Sequence, residues 1–446
     1  MEDVAAHQRG RLHEAMIELV AEHGYNAVSV AMLTNRARIS KRDFYKLFSG
    51  KEECFLAAYD IIVSHSVRGI IAAAEGEEEW RERLRLGLLA FAGQVAASPD
   101  AARLALVEVF AAGAVAVERM LRASWAFEAL VAKNFALADG TPRLPRLVVR
   151  GIVAGGGRMT RAQLLSGHPR ELPPDGGELL EWALSFCDDD AVLLRGLGVA
   201  GAPPLSATAA EAPLADERAL ILAATARLAS TEGYATLTVP RVRAVAGVSR
   251  RSFDAHFKGV ADCFLATLEM LIDRALAAAA PRYLAADDWA SGVHRMVAGL
   301  CQHLACDPTL AGLAFLEVFS PGPEAIRWRT ETIAKLATML RRGAPAQQPS
   351  KFAAEASIGA MWGVIHRIVA IGRGAHLPIA APALSYLALA PALGGAAAVD
   401  VIVAEVGKAR RADVRSAAGA LRVQRQAARP VSTNIARRRN LTALNR

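Results

Sequence analysis

The chain has 446 residues, enough for two or three domains, with 53 % hydrophobic residues, 6 % aromatic residues and a formal net charge of +8. Much of the apolar content is alanine, the best helix former, while strand-favouring aromatics are scarce, so an all-α fold is expected. Five cysteines, odd in number and widely spread, exclude a disulfide framework. The start, Met1-Glu2-Asp3-Val4, has neither a basic nor an apolar signal region, so a cytoplasmic location is expected.

Taken in chain order, Leu12, Ala15, Met16, Leu19 and Val20 mark one face of a first helix. Gly24 ends it with a left-handed C-cap. Ser29 is placed to N-cap a short helix over 30–36, and Ala37-Arg38-Ile39 makes a three-residue turn. Ser40 N-caps a third helix, with Asp43 at the capping-box position. Ser49 opens a fourth, with Glu52 three residues on. Short helices joined by so short a turn describe a helix-turn-helix. Longer helices are predicted over 80–95, 99–113, 117–137, 144–165 and 177–187.

The chain then repeats itself 209 residues on. Gly24-Tyr25 recurs as Gly233-Tyr234, and Cys54-Phe55-Leu56-Ala57 as Cys263-Phe264-Leu265-Ala266; 13 of 35 positions from 24 to 58 are identical at that offset. The register still holds at Trp80 and Trp289, and at Glu108-Val109-Phe110 and Glu317-Val318-Phe319. A fixed offset this long means two copies of one domain. The expected organisation is a helix-turn-helix head at 8–57 and a helical body at 58–198, then an Ala/Pro/Ser/Thr-rich linker at 199–215. A second head at 216–266 and a second body at 267–403 follow. A basic tail at 404–446 is expected to be disordered. From Lys408 onward it carries 11 Lys/Arg against Asp413 alone, so the tail sets the charge of the chain.

The third helix carries the chemistry. Its exposed positions are Lys41, Arg42, Asp43, Tyr45 and Lys46, over a buried base of Phe44, Leu47 and Phe48. A short helix of this kind suits the major groove of double-stranded DNA, with cations for phosphates or guanine edges and a tyrosine hydroxyl for a phosphate oxygen. Lys51, in the first turn of the fourth helix, is placed to reach the DNA backbone. With Ser29 and Ser40 these make the candidate DNA-binding set of copy one. Thr238, Ser249, Arg250, Arg251, Ser252, His256 and Lys258 make that of copy two.

Gly24-Tyr25, Ser29-Val30, Ala37, Ile39-Ser40-Lys41, Phe44-Tyr45, Phe48 and Lys51-Glu52 resemble the N-terminal signature of the TetR/AcrR family of bacterial repressors. Each copy resembles a full member: three DNA-binding helices, a connecting helix and a helical ligand-binding, dimerising domain. The resemblance implies an effector-controlled transcriptional regulator, usually a repressor, that binds DNA as a dimer. The specific match covers about 50 residues per copy; beyond it the bodies match only in length and helicity. Copy one departs at Arg38, where the family prefers glycine, a change that suits a helical or bridge conformation. Copy two departs more: Asp254 replaces the phosphate-contacting tyrosine, and Val260-Ala261 replace Lys-Glu, losing a cation and the cap of the fourth helix.

Other features have bland readings beside sharp ones. Cys301, His303 and Cys306 suggest a metal, but a fourth ligand is missing and core packing is preferred, so no metal or cofactor is expected. Asp188-Asp189-Asp190 is read as a solvated helix end. Gly155-Gly156-Gly157 marks close helix packing or a kink. Arg158, Trp182, Trp362, His366 and Arg373 either line an effector pocket or sit between helices. The charge-free stretch 374–399 is long enough to span a membrane, but its prolines favour a buried terminal helix, and no membrane partner is expected. The expected partners are DNA, an unidentified small-molecule effector, and either the other copy in the same chain or a second chain. The rival reading is a ligand-sensing or protein-interaction module with decayed DNA-binding heads. No nucleophile–base pairing or nucleotide loop supports an enzyme.

Overall fold

The computed structural model describes residues 2–136, 144–165, 177–186, 216–345 and 349–427. The linker and Asp188-Asp189-Asp190 lie outside them. Among the described residues the regular structure is helical throughout, with no strand.

Copy one runs α1 (Glu2–His23), α2 (Val30–Ala37), α3 (Lys41–Leu47), α4 (Lys51–Ala73), α5 (Trp80–Ala97), α6 (Pro99–Leu106), α7 (Ala114–Ala136), α8 (Arg146–Leu165) and α9 (Gly177–Leu184). Copy two runs α10 (Glu217–Glu232), α11 (Val239–Ala246), α12 (Arg250–His256), α13 (Val260–Leu284), α14 (Trp289–Cys306), α15 (Pro308–Phe315), α16 (Pro323–Arg341), α17 (Lys351–Ala370) and α18 (Leu377–Leu393), followed by α19 (Gly395–Ala427). Helix starts at 30, 41, 51, 80 and 99 return at 239, 250, 260, 289 and 308, so the 209-residue offset is a structural period.

Local chemistry sets the boundaries of the heads. Ser29 Oγ accepts from the Met32 N–H, and Ser40 Oγ from the Asp43 N–H at 3.0 Å. Thr238 and Ser249 repeat both caps on Arg241 and Ser252. Such caps satisfy N–H groups that the helix itself leaves unpaired. The cap of α4 differs from expectation. Gly50 is the N-cap residue, and the Ser49 N–H and hydroxyl both donate to Glu53 rather than to Glu52. Asp262 accepts from the Lys258 N–H in the same way, so copy two keeps its cap despite Val260-Ala261.

Two backbone expectations are also corrected. Arg38 takes the left-handed conformation, φ 51° and ψ 50°, not a helical or bridge one. Its counterpart Gly247 has φ 71°; the chain needs a left-handed residue there in both copies, and copy one meets the need at a steric cost. Gly24 has φ 75° with an extended ψ of 154° rather than the left-handed cap, a region open essentially to glycine. Gly233 repeats it.

Each head is a small aromatic core. Leu12, Met16, Leu33, Phe44 and Phe55 are fully buried in copy one, as are Ile221, Phe253 and Phe264 in copy two. Burying one such side chain is worth about 1.5–3 kcal/mol. The bodies meet where α8 crosses α17, with α9 and α18 packed beside them. Small residues allow the close approach: a Cβ on Gly155 would lie 2.8 Å from the Ala356 carbonyl, and one on Gly363 would lie 2.3 Å from Ala154. The glycine run of α8 therefore marks helix packing.

The C-terminal region departs from the expected disordered tail. Residues from 404 continue in α19 as far as Ala427. Glu405 is buried and takes the Arg295 guanidinium at 2.6 Å and the Lys408 ammonium at 2.7 Å. Those two ion pairs tie the helix to α14, a tertiary reward that the charge pattern of the segment did not disclose. The rest of the basic stretch, 428–446, lies outside the described residues. The apolar stretch from Gly374 to Leu393 is 72 % buried inside the protein, as a core helix requires. The other helix long and apolar enough to cross a membrane, Lys51–Ala73, is α4, the wall between head and body.

Candidate DNA-reading heads and an interior cavity

In copy one the second and third helices place a compact cationic surface on the head. Lys41, Arg42, Tyr45 and Lys46 are exposed while Phe44 and Phe48 are buried beneath them. Tyr45 is 57 % exposed, with its ring edge-on to Phe44 at 5.4 Å. Lys46 is paired with Asp43 at 2.7 Å; Lys46 and the Ser40 hydroxyl hold that carboxyl below its usual range. Among the described residues no carboxylate pairs with Lys41 or Arg42. Ser29 and Ser40 stand at the helix N-termini, their oxygens already engaged as caps.

Lys51 sits elsewhere than expected. Its ammonium donates to the carbonyls of Tyr25 at 3.1 Å and Val28 at 3.0 Å, and lies 4.4 Å from the Tyr25 ring centroid. Burial pushes its pKa down. It ties α4 to the connection between α1 and α2, and its donors are spent on the protein.

Copy two presents the same surface with its charge altered. Arg250 Nε donates to both oxygens of Asp254, the nearer at 2.7 Å, so the residue at the tyrosine position neutralises the cation one turn before it. The Ser252 hydroxyl donates to Glu217. Arg251, His256 and Lys258 remain exposed. Thr238 and Ser249 serve as caps.

A contact absent from the sequence reading joins each head to its body. Buried Glu108, in the turn after α6, accepts from the Tyr25 N–H at 3.0 Å and from Arg103 at 3.3 Å. Glu317 accepts from the Tyr234 N–H at 3.3 Å. The donor and acceptor are 83 residues apart in both copies. The repeated Glu-Val-Phe was visible, but only its recurrence, not its partner. A Cβ on Gly24 would lie 3.5 Å from a Glu108 oxygen, so the glycine gives the carboxylate its access.

Within copy one, α4 to α8 enclose a cavity of about 560 Å³, the size of a small-molecule site. Most of its wall is apolar, including Ile62, Leu88, Phe91, Met120 and Phe127. Copy two closes it with Arg329, Gly363, His366 and Arg367. Arg161 donates to the Leu106 carbonyl and stacks 4.5 Å from the Phe110 ring. His366 bonds the Phe315 carbonyl, which is the matching position in copy two, so one polar side chain per copy closes the end of the sixth helix. Burial, then Arg158, pushes the Arg161 pKa down to about 10. Burial also lowers His366 to about 4, which keeps it neutral at pH 7.

The remaining candidates divide. Trp182 lies between the copies, its indole donating to Ser357 at 3.0 Å, and Arg158 pairs there with Glu355 at 3.0 Å. Tyr386 donates to the Phe186 carbonyl across the same junction. Trp362 packs on Phe315 at 4.9 Å, and Arg373 is exposed. Cys301 is core and Cys306 is at the surface.

Comparison with known proteins agrees with this geometry. The model of the bacterial regulatory proteins of the tetR family matches residues 12–58 and again 221–267, the two heads. The chain is 34 % identical over 84 residues to the HTH-type transcriptional activator FasR of Mycolicibacterium smegmatis. That match spans 19 % of this chain and 38 % of the relative's length. A solved structure described as the fatty acid degradation regulator FadR from Bacillus halodurans is matched with a TM-score of 0.34 at 15 % identity, over 38 % of this chain and 97 % of that one. With the family's domain recognised at both heads, the chain belongs to the bacterial tetR family of regulatory proteins, as two TetR-like units in tandem.

Proposed function

We propose that the chain is a DNA-binding transcriptional regulator whose two heads engage an operator as an intrachain pseudo-dimer and are controlled by a small molecule held in the body of copy one. The observation that carries this reading is the pair of Glu108–Tyr25 and Glu317–Tyr234 hydrogen bonds. Each links an exposed recognition helix to the helical body behind it. An effector that reshapes the cavity wall moves α4, α6 and the Glu108 turn, and with them head one. Repression, with release of the operator on effector binding, is the sign we propose. The relative from Mycolicibacterium smegmatis is named an activator, and a reporter fusion decides between the two. By linkage, effector and DNA must then oppose each other equally.

The packing of α8 and α9 on α17 and α18 within one chain favours pairing of the copies over pairing of two chains. The covalent connection supports it by raising the local concentration of one copy for the other to roughly millimolar. Copy one supplies the larger share of affinity through Lys41, Arg42 and Tyr45. The operator should be asymmetric, with one well-read half-site. A gel shift of the full chain on its own upstream DNA tests the proposal: a salt-sensitive, sequence-selective shift is expected. Retention on heparin without any selective shift would favour the rival, a sensing module with decayed heads.

A further inference from the structure

The cavity of copy one has a charge imbalance at its polar points. Arg150, Arg161, Arg329 and Arg367 line it, and His366, beside them, is neutral at pH 7. Glu128 is the lining carboxylate, and it takes Arg150 at 3.2 Å. Just behind the wall Glu355 pairs with Arg158. Arg161 and Arg329 are 9 % and 8 % exposed, and each feels the like charge of its neighbours. Buried cations of one sign repel each other and pay for lost hydration, so this arrangement is a poor way to build a core.

The two polar points are also spaced. Arg150, Ala154, Gly157 and Arg161 all face the cavity from α8, on one helix face. The ends are separated by about 16 Å at 1.5 Å per residue. The wall around them is apolar. Arg161 comes from copy one and Arg329 from α16 of copy two, so the cationic end exists only where the two copies meet.

We propose that this cavity binds an elongated, mainly apolar molecule ending in an anionic head, with the head seated on Arg161 and Arg329, one guanidinium from each copy. Guanidinium groups suit a carboxylate or phosphate through paired N–H donors. The apolar walls take an alkyl chain. Copy two is built differently at the matching place: α17 starts 205 residues after α8, so Gly156 and Gly157 give way to Met361 and Trp362. The Trp362 side chain is buried against Phe315 and Arg329, filling with its indole the room that glycine leaves in copy one. One anionic amphiphile per chain is therefore expected.

The inference rests on the reading of copy one as the effector body, and binding is measured without DNA so that the two fail separately. The full chain is titrated by calorimetry with dodecanoate, dodecyl phosphate, dodecanol and dodecylammonium. One site per chain is expected, with at least one anionic probe bound roughly ten- to a hundredfold tighter than the alcohol and the amine weakest. The carboxylate and phosphate arms distinguish the two heads. Arg329→Met should bring acid and alcohol close to parity, whereas Arg329→Lys should keep part of the gap. Gly157→Trp places an indole in open space inside the cavity and should abolish binding of every probe. Equal affinity for acid and alcohol in the unaltered chain, a preference for the amine, or undiminished binding to Gly157→Trp would each overturn the proposal. A chain that binds dodecanoate as expected yet shows an unchanged gel shift would instead count against effector control of DNA binding.

Discussion

The two copies share a backbone plan and differ in what they have kept. In copy one the recognition helix leaves Lys41 and Arg42 without carboxylate partners, with Tyr45 exposed beside them; in copy two Asp254 clamps Arg250. In copy one α8 turns glycines to an interior cavity; in copy two the matching helix turns Met361 and Trp362 inward. The interfaces that join the copies, and the glutamate that ties each head to its body, are held in common. The difference teaches that duplication preserved the framework while allowing one unit to specialise in sensing and reading and the other in packing and pairing. A tandem chain permits this because selection on a homodimer changes both heads together, whereas each copy here changes alone.

The largest expected effect probes what the copies share. Trp182 is buried between them and bonded to Ser357. Trp182→Ala should cost about 3–5 kcal/mol, the usual range for a buried tryptophan. Unfolding of the full chain should then split into two transitions in calorimetry. A single transition with little loss would mean that the copies do not stabilise each other through this junction.

Acid should separate the copies next. Burial lowers both His294 and His366, in copy two, from 6.5 to about 4. A histidine whose folded pKa is depressed is neutral in the fold, while the unfolded chain takes up the proton. Stability is thus fully present above pH 6.5 and is lost as pH falls toward 4, by about 3 kcal/mol for each group. Denaturation midpoints followed from pH 7 to 4 should show this decline, and His294→Gln with His366→Gln should flatten it. Persistence of the full decline in that double variant would assign it to other groups.

The heads come third. Lys41→Ala, Arg42→Ala and Tyr45→Phe should each weaken operator binding by about 1–3 kcal/mol. Arg250→Ala should weaken it less, since its charge is already met by Asp254. Asp254→Tyr should strengthen binding by freeing that cation and restoring a phosphate donor. Equal losses from Lys41→Ala and Arg250→Ala in a titrated gel shift would erase the distinction between the heads. Lys51→Ala should act mainly on head stability, because its ammonium is held by backbone carbonyls.

The smallest effect compares one backbone position. Arg38→Gly should stabilise copy one by about 1 kcal/mol, since an L-residue pays that much in the left-handed region. Gly247→Ala should destabilise copy two by a similar amount. Thermal midpoints moving in opposite directions would match the φ values of 51° and 71°.

Much of this protein is local, and the local part was legible. The repeat revealed two units because thirteen identities at one offset need no structure to see. Ser29, Ser40, Thr238 and Ser249 announced helix starts because a cap acts over three residues. The exposed and buried positions of α3 followed from helical period and polarity alone. The tertiary structure decided what distance in sequence hides. Glu108 meets Tyr25 across 83 residues, and Arg161 meets Arg329 only because the bodies pair. Lys51 was assigned to DNA because its charge is visible in sequence while the carbonyls that capture it are not. The basic segment after 404 was read as disordered because charge density argues against a core; Arg295, distant in the chain, supplies the ion pair that seats it. A sequence by itself determines what neighbours within a turn or two can do for each other. Which buried charges share a cavity, and which copy keeps room for a ligand, is settled by packing between segments hundreds of residues apart.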